Sequence, residues 1–429
     1  MPDVLIGLDV GTSGVKAIAL SPDGAVVGSA EESYPLSTPQ PGWSEQDPED
    51  WWRAAQACLS RLPEGPIGLS GQMHGLVVLG ADDRVLRPAI LWNDQRTAAE
   101  CAEIEERIGL ERLIELTGNR ALTGFTAPKL LWLRRHEPDL YAEIRQVLLP
   151  KDYVRFRLNG ERLIDAADAS GTLLFDVARR RWSDEVCAAL GVGIASPGPV
   201  SVVLGTSGVV FAVLPAYAPD AEARVHVFCH AVPGTWHAMG VMLSAAGSAT
   251  WLRNALDTPL AELDAAAVAW QPGCEGLLFA PYLAGERTPY PDPDARGAFT
   301  GLSLRHDRGA LWRAMLEGVA FGLRDSLELL RELGCAPTVG RVSGGGARSD
   351  VWVRIVASAL QLPLERTASD EGSAFGAALL AGVRAGVFAD AAEAVARCVH
   401  VRDVVEPVWD YEDVYTRFRS LYPTLKELT

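Results

Sequence analysis

An aspartate, two glycines and two hydroxyl side chains stand close together near the N-terminus. They are Asp9, Gly11, Thr12, Ser13 and Gly14, in the stretch LIGLDVGTSGVKAIAL from Leu5 to Leu20. Glycines let a backbone turn sharply and approach a ligand. Unpaired N–H groups and hydroxyls converging on one point make a cradle for an anion such as phosphate. Asp9, at the end of the first apolar run, could hold a metal-bound water. The same pattern also describes an ordinary glycine hairpin between two buried strands. A second copy argues for the cradle: Leu204 to Leu214 reads LGTSGVVFAVL against VGTSGVKAIAL at Val10 to Leu20. One repeat at so long a spacing is no solenoid. It reads as a duplicated domain, with two hairpins gripping opposite ends of a polyphosphate. Nucleotide hydrolysis or phosphoryl transfer is the chemistry this suits.

Three further clusters could contact a ligand. Ser70 to Gly75, SGQMHG, breaks an apolar run and places Met73 and His74 at a strand end. A lone histidine is commonly structural, but strand ends of α/β sheets are where ligands collect. Ala89 to Arg96, AILWNDQR, ends in Trp92, Asn93, Asp94 and Arg96. Asn and Asp can hydrogen-bond hydroxyls, and Trp can stack on a sugar's apolar face. Asp94 could equally start the helix expected from Thr97 to Ile108. Thr338 to Ser349 runs into Gly344-Gly345-Gly346, a bare backbone on which a flat base or ribose could lie, or a plain turn.

The elements that would position these residues alternate between strand and helix. Strands are expected at both ends of each hairpin, at Ala25 to Tyr34, on either side of His74, before the glycine triplet and at Leu362 to Arg366. Asp47, Pro48, Glu49 and Asp50 form a helix start. Lys129 to His136, Lys151 to Leu158, Val177 to Leu190 and Asp307 to Leu333 read as helices. Arg179 to Arg181 looks like a solvated charge run. Ala280 to Leu302 is a long loop rich in Pro, Gly and charge, a kind that often carries function. Ser373 to Val383, SAFGAALLAGV, is a small-residue helix of the type that packs against a partner helix. The tail to Thr429 offers no motif.

The chain has 429 residues, enough for two domains, and 48% of them are hydrophobic. Its formal charge of −16 argues against nucleic acid as the main partner, though not against one bound nucleotide. No apolar run suggests a membrane span or a signal core. Seven dispersed cysteines without a CxxC pair argue against zinc or a disulfide framework. A cytoplasmic protein is the expectation.

Taken together, DVGTSGVKA, GWSEQDPEDWW, WNDQR, LGTSG, PYLAGERTPYPDPDARGAF and GGGARSDVW resemble the FGGY family of carbohydrate kinases, in both halves and in order. SGQMHG and AGERTP resemble its xylulose-phosphorylating members. The resemblance implies an α/β fold of duplicated RNase-H-like (actin-like ATPase) domains flanking a cleft. The domains would be a sugar-binding residues 1–196 and a nucleotide-binding residues 197–429. It implies transfer of the γ-phosphoryl group of ATP, with Mg2+, to a ketose hydroxyl, giving xylulose 5-phosphate from D-xylulose. Met73, His74, Trp92 and Asp94 would meet the sugar. Asp9 would approach the metal, and Thr12, Ser13, Thr206 and Ser207 would face phosphates. Gly345, Gly346 and Ala347 would lie along the adenosine. The expected partners are a small sugar and ATP, with neither nucleic acid nor membrane, and a homodimer is admitted. Rival readings are a kinase for ribulose, gluconate or glycerol, and a nucleotide- and sugar-binding protein without catalysis.

One part of the family's pattern is absent. The catalytic base in relatives is the Asp of a Gly-Gly-Gly-Asp segment shortly before the second hairpin. Here Leu190 is followed at once by GVGIASPGPVSVVLGTSG. The internal duplication points the same way. The second half continues past its glycine triplet with a strand and a small-residue helix, whereas of such successors the first half keeps only the fragment Gly191 to Ala195 before its second hairpin. A lost edge strand and a truncated helix, with the base among the missing residues, are therefore expected at the Leu190–Gly191 junction. Asp94, Asp165 and Asp168 are the candidates for a substitute base.

Overall fold

The computed structural model describes residues 2–190, 208–214, 216–232, 234–368 and 371–427. The first half is built on a four-stranded sheet in the order β3-β2-β1-β4. Its strands are β1 (Leu5–Val10), β2 (Gly14–Leu20), β3 (Val26–Ser33) and β4 (Ile67–Gly71). β1 runs antiparallel to β2, pairing Asp9 with Lys16, and parallel to β4, pairing Asp9 with Ser70.

Alternation along β1 and β2 sends side chains to two faces. Leu8, Val10, Val15 and Ala17 meet Trp51, Ala54, Ala55 and Cys58 of α1 (Pro48–Leu59). Asp47 caps α1 by accepting from Glu49 N at 3.0 Å. Leu5, Ile18 and Leu20 point the other way, onto Ala374, Phe375, Ala378 and Leu379.

Those partners belong to the small-residue helix of the second half, Gly372–Arg384. The sequence suggests that such a helix packs on another helix. It lies instead on the first half's sheet, because two glycines make a trough for it. Gly7 and Gly68 sit side by side in the β1–β4 register. A methyl group on Gly7 would fall 1.7 Å from the Ala374 carbonyl oxygen, and one on Gly68 would fall 1.9 Å from that of Ala377. Gly68→Ala is therefore expected to cost about 1–3 kcal/mol, the usual range for overpacking. The check is a lower urea midpoint; an unchanged one would show that the helix is not seated there.

The rest of the first half carries α2 (Thr126–His136), α3 (Pro150–Asn159) and α4 (Ala166–Ser170). Of the helix expected over Val177 to Leu190, only Asp184–Leu190 is helical. Phe175–Asp176 and Arg181–Trp182 pair as a hairpin instead. Arg180 turns it at φ 53°, a conformation no helix accepts. The Arg179 to Arg181 run is not merely solvated: Arg180 donates to the Thr235 carbonyl at 2.8 Å and lies over Trp236.

In the second half, β5 (Gly208–Leu214), β6 (His226–Cys229) and β7 (Trp236–Met242) form a sheet in the order β5-β7-β6. β8 (Gly340–Val342), β9 (Leu364–Thr367) and β10 (Val401–Val405) form another in that order. The 25-residue α5 (Arg308–Glu332), capped by Asp307, packs with α6 (Asp350–Leu360) in the largest core. The Gly372–Arg384 helix is α7. β8 pairs in parallel with β9. Among the described residues, β4, its counterpart by sequence, has no strand on its outer edge. No described helix is long and apolar enough to cross a membrane.

Candidate functional site

The turn between β1 and β2 is held from behind. Gly11 N donates to the Gly14 carbonyl at 3.0 Å, and the Tyr34 hydroxyl donates to the Gly11 carbonyl. Gln46 Nε2 donates to the Thr12 carbonyl at 2.7 Å. The Gln46 side-chain oxygen in turn accepts from Trp51 Nε1 at 3.0 Å and Gln72 Nε2 at 2.9 Å. The carbonyls of the turn are thus engaged from within the protein, which favours its amides for a ligand. Ser13 is exposed and Thr12 half-buried.

Asp9 ends β1 beside this turn. Burial raises its carboxyl to about 6, with Ser70 and Lys16 pulling the other way. Its Oδ1 is buried and without a hydrogen-bond partner. An orphaned carboxylate oxygen beside a fixed glycine turn fits a hydrated Mg2+ and the phosphates it accompanies. Lys16 pairs with Glu31 at 3.2 Å and with Glu371, just ahead of α7, at 2.5 Å.

Met73 and His74 follow β4. His74 sits at φ 63°, and its carbonyl accepts from Lys129 Nζ at 2.9 Å and Thr126 Oγ1 at 3.3 Å. Its ring meets Phe125 edge-on, with centroids 4.8 Å apart. A methyl group on Gly171 would stand 2.2 Å from His74 Cε1, so the turn after α4 is glycine for this contact. Burial, with Lys129, Arg287 and His226 adding to it, holds His74 well below the usual histidine range. It is a neutral imidazole at pH 7, able to donate one hydrogen bond and accept another.

Trp92 links this region to the hairpin: its Nε1 donates to Thr12 Oγ1 at 3.0 Å. Asp94 is different from what the sequence suggests. It is fully buried, and its oxygens accept from Ser44 N at 2.7 Å, Arg96 N at 2.9 Å, and the Arg96 guanidinium at 2.7 and 2.9 Å. Arg96 also pairs with Glu45 at 2.8 Å and lies over Trp43 at 3.5 Å. Asp94 therefore shapes the Trp92 loop through Ser44 and Arg96. Nor does it cap the next helix, Ala98–Ile108, whose N-cap position is Thr97.

The other substitute carboxylates are also tied. Lys151, at the start of α3, is buried among Asp152, Asp165 and Asp168. Its ammonium lies 2.7 Å from Asp152 and 3.0 Å from Asp168 and also contacts Asp165. Asp165 caps α4 through Asp168 N at 2.9 Å. Burial alone would lower the lysine, but the three carboxylates outweigh it and hold the ammonium charged. Burial pushes Asp168 up to about 7, with Lys151 opposing. The carboxylates have cation-binding spacing, yet Lys151 already supplies the cation.

In the second half, Gly344 to Ala347 follow β8. A methyl group on Gly345 would meet nothing within 4 Å, whereas one on Gly346 would press on the Trp352 ring at 2.8 Å. The triplet thus has one open face and one packed against α6. Ser349 caps α6 by accepting from Trp352 N at 3.3 Å. Ala347 is buried. Thr206 and Ser207 lie outside the described residues.

In the sequence no individual role attaches to four residues that the structure makes prominent: Gln46, Lys151, Glu286 and Arg287. A signal existed for Lys151, a charged pair at the first turn of a helix after an apolar strand. Glu286 and Arg287 stood inside the AGERTP motif, with no role of their own.

The described geometry is a glycine hairpin joined through Trp92 to the surroundings of the buried His74, with an open glycine triplet in the second half. The comparisons agree with it. The N-terminal domain model of the FGGY family of carbohydrate kinases matches residues 4–216, and the C-terminal domain model matches residues 200–385. The chain belongs to this family. It is 42% identical to a xylulose kinase of Escherichia coli strain K12, over 89% of this chain and 90% of that protein. It is 34% identical to a xylulose kinase of Bacillus subtilis, over 99% of this chain and 97% of that protein. The crystal structure of a "xyloylose kinase" from Brucella ovis superposes with a TM-score of 0.90 at 40% identity, covering 99% of this chain and 100% of that one.

Proposed function

We propose that this chain is a xylulokinase-type enzyme: it binds D-xylulose and ATP with Mg2+ and its chemistry is transfer of the γ-phosphoryl group to the sugar's terminal hydroxyl. The observation that carries this is the Trp92–Thr12 hydrogen bond. It joins the pocket of Met73 and His74 to the hairpin of Asp9, Thr12 and Ser13, as an acceptor hydroxyl must be joined to a phosphoryl donor. Asp9 would hold Mg2+ through water, and the hairpin would hold phosphate oxygens. The glycine triplet would carry the adenosine. Such transfer depends mainly on positioning and charge neutralisation.

Asp94, Asp165 and Asp168 are each committed to a cation or a cap, so none stands in for the family's base. The alignment with the Bacillus subtilis relative spans 487 positions, more than the 429 residues here, which supports a missing segment. Among the described residues no strand lies on the outer edge of β4, which supports it too.

The test is ADP release from Mg·ATP with and without D-xylulose, alongside melting. Melting shifts with both ligands but little stimulated turnover are expected, since a ligand that binds only the native state raises its melting temperature. Absence of any sugar-dependent shift would overturn the sugar assignment.

A further inference from the structure

Arg287 belongs to the long loop of the second half, yet its side chain ends in the pocket of the first. The backbone on both sides of it is pinned. Glu286 accepts from Leu243 N at 3.0 Å and from Arg287 N at 2.8 Å. Thr288 accepts at its hydroxyl from Val241 N at 3.0 Å and donates to the Arg224 carbonyl at 2.9 Å. The loop is thereby laid against the end of β7. A methyl group on Gly124 would stand 2.8 Å from Arg287 Nη2 and 2.5 Å from the Trp92 carbonyl oxygen. The guanidinium therefore lies over Gly124, beside Trp92 and near His74.

Among the described residues, none occupies it. Among the described residues, no hydrogen bond or ion pair engages the Arg287 guanidinium, which is partly buried. The nearest carbonyls are already taken: Lys129 Nζ donates to Gly124 at 2.7 Å and to His74 at 2.9 Å. Lys129 is thus satisfied and Arg287 is not. An arginine presents five donors and no acceptor. A partly buried arginine left unpaired is costly unless a ligand completes it.

Trp92 fixes which end of the ligand this is. Its indole N–H reaches Thr12, while its carbonyl faces Gly124 and Arg287. The guanidinium thus stands by the backbone end of Trp92, and the hairpin stands by its indole end. If the hydroxyl to be phosphorylated faces the hairpin, the opposite end of the sugar faces Arg287. A 2-ketopentose can close to a furanose only through its C5 hydroxyl, so that hydroxyl is free only in the open chain. In the open chain the far end carries a carbonyl oxygen, which accepts hydrogen bonds and cannot donate them.

We propose that Arg287 is a substrate-binding, specificity-determining residue: its guanidinium donates to the C2 carbonyl oxygen of the open-chain ketose, selecting ketose over alditol. This rests on the sugar-kinase reading above. The test is the melting shift of the full chain titrated with D-xylulose and with xylitol, which differ at that oxygen. Wild type is expected to bind D-xylulose roughly tenfold or more tightly than xylitol, the scale of a charged hydrogen bond. Arg287→Met is expected to bring the two to parity while leaving the ATP-induced shift unchanged. A preference that survives in Arg287→Met overturns the assignment. Where that variant fails to melt cooperatively, the wild-type titrations decide, because equal affinity for the two sugars overturns it without any variant. Wild type that responds to neither sugar overturns the sugar reading as well, which separates the two failures.

Discussion

Inserting a segment with the family's Gly-Gly-Gly-Asp pattern between Leu190 and Gly191 is expected to raise xylulose-stimulated ADP release by about 10²- to 10⁴-fold. That is the range a positioned general base contributes. The expectation follows from where the chain's own carboxylates are. Asp94 spends its oxygens on Arg96 and Ser44. Asp165 caps α4 and meets Lys151, and Asp168 meets Lys151 at 3.0 Å. A base must reach the hydroxyl's proton, and releasing any of these would first uncover a buried cation. A coupled assay at saturating ATP and sugar reads the change directly. Turnover by the ungrafted chain as fast as by the graft would sink the idea, and would mean that another group takes the proton.

Lys151→Met is expected to destabilise the chain by about 3–5 kcal/mol at neutral pH, the cost of removing one partner from a buried ion cluster. Asp152, Asp165 and Asp168 would be left facing one another with no ammonium between them. The loss has a defined pH dependence. Without Lys151 the buried carboxylates bind protons more readily in the folded chain than unfolded, where Asp titrates at about 3.9. Stability then falls as pH rises through that window. The gap between variant and wild type should be small near pH 4 and wide at pH 8. Urea midpoints at the two pH values check it; a gap independent of pH would show that Lys151 acts by packing alone.

Much of the fold was legible because it rests on local patterns. The alternation of Leu5 to Val10, the Asp47-Pro48 helix start and the Asp307 cap are readable within a few residues, and each element is found there. The hairpin at 175–182 was not, since three arginines in an amphipathic register look helical until Arg180 is seen at positive φ. Of the site, His74 and Trp92 were legible as chemistry placed at strand ends. Asp94 was legible as a polar residue in the right loop, but its role depends on Arg96 and Ser44 closing around it. The tail shows the same limit. It has no motif, yet Tyr422 stacks on Tyr290 at 3.7 Å and donates to Asp292 at 2.7 Å, bracing the loop that carries Arg287. Long-range partners of this kind are invisible to spacing.

The seat of α7 on Gly7 and Gly68 also bears on how the chain is made. The two glycines that form the seat leave the ribosome early, and the helix that covers them begins at Gly372. Until it arrives, the face of Leu5, Ile18 and Leu20 lacks its cover. Domains commonly fold in order of synthesis. Here the first sheet has to wait for nearly the whole chain. Contacts so distant in sequence also slow folding. Ribosome-bound chains truncated before residue 372 should therefore stay sensitive to protease in their first half and depend on chaperones, and cleaving the gene into two separately expressed halves should leave the first one insoluble.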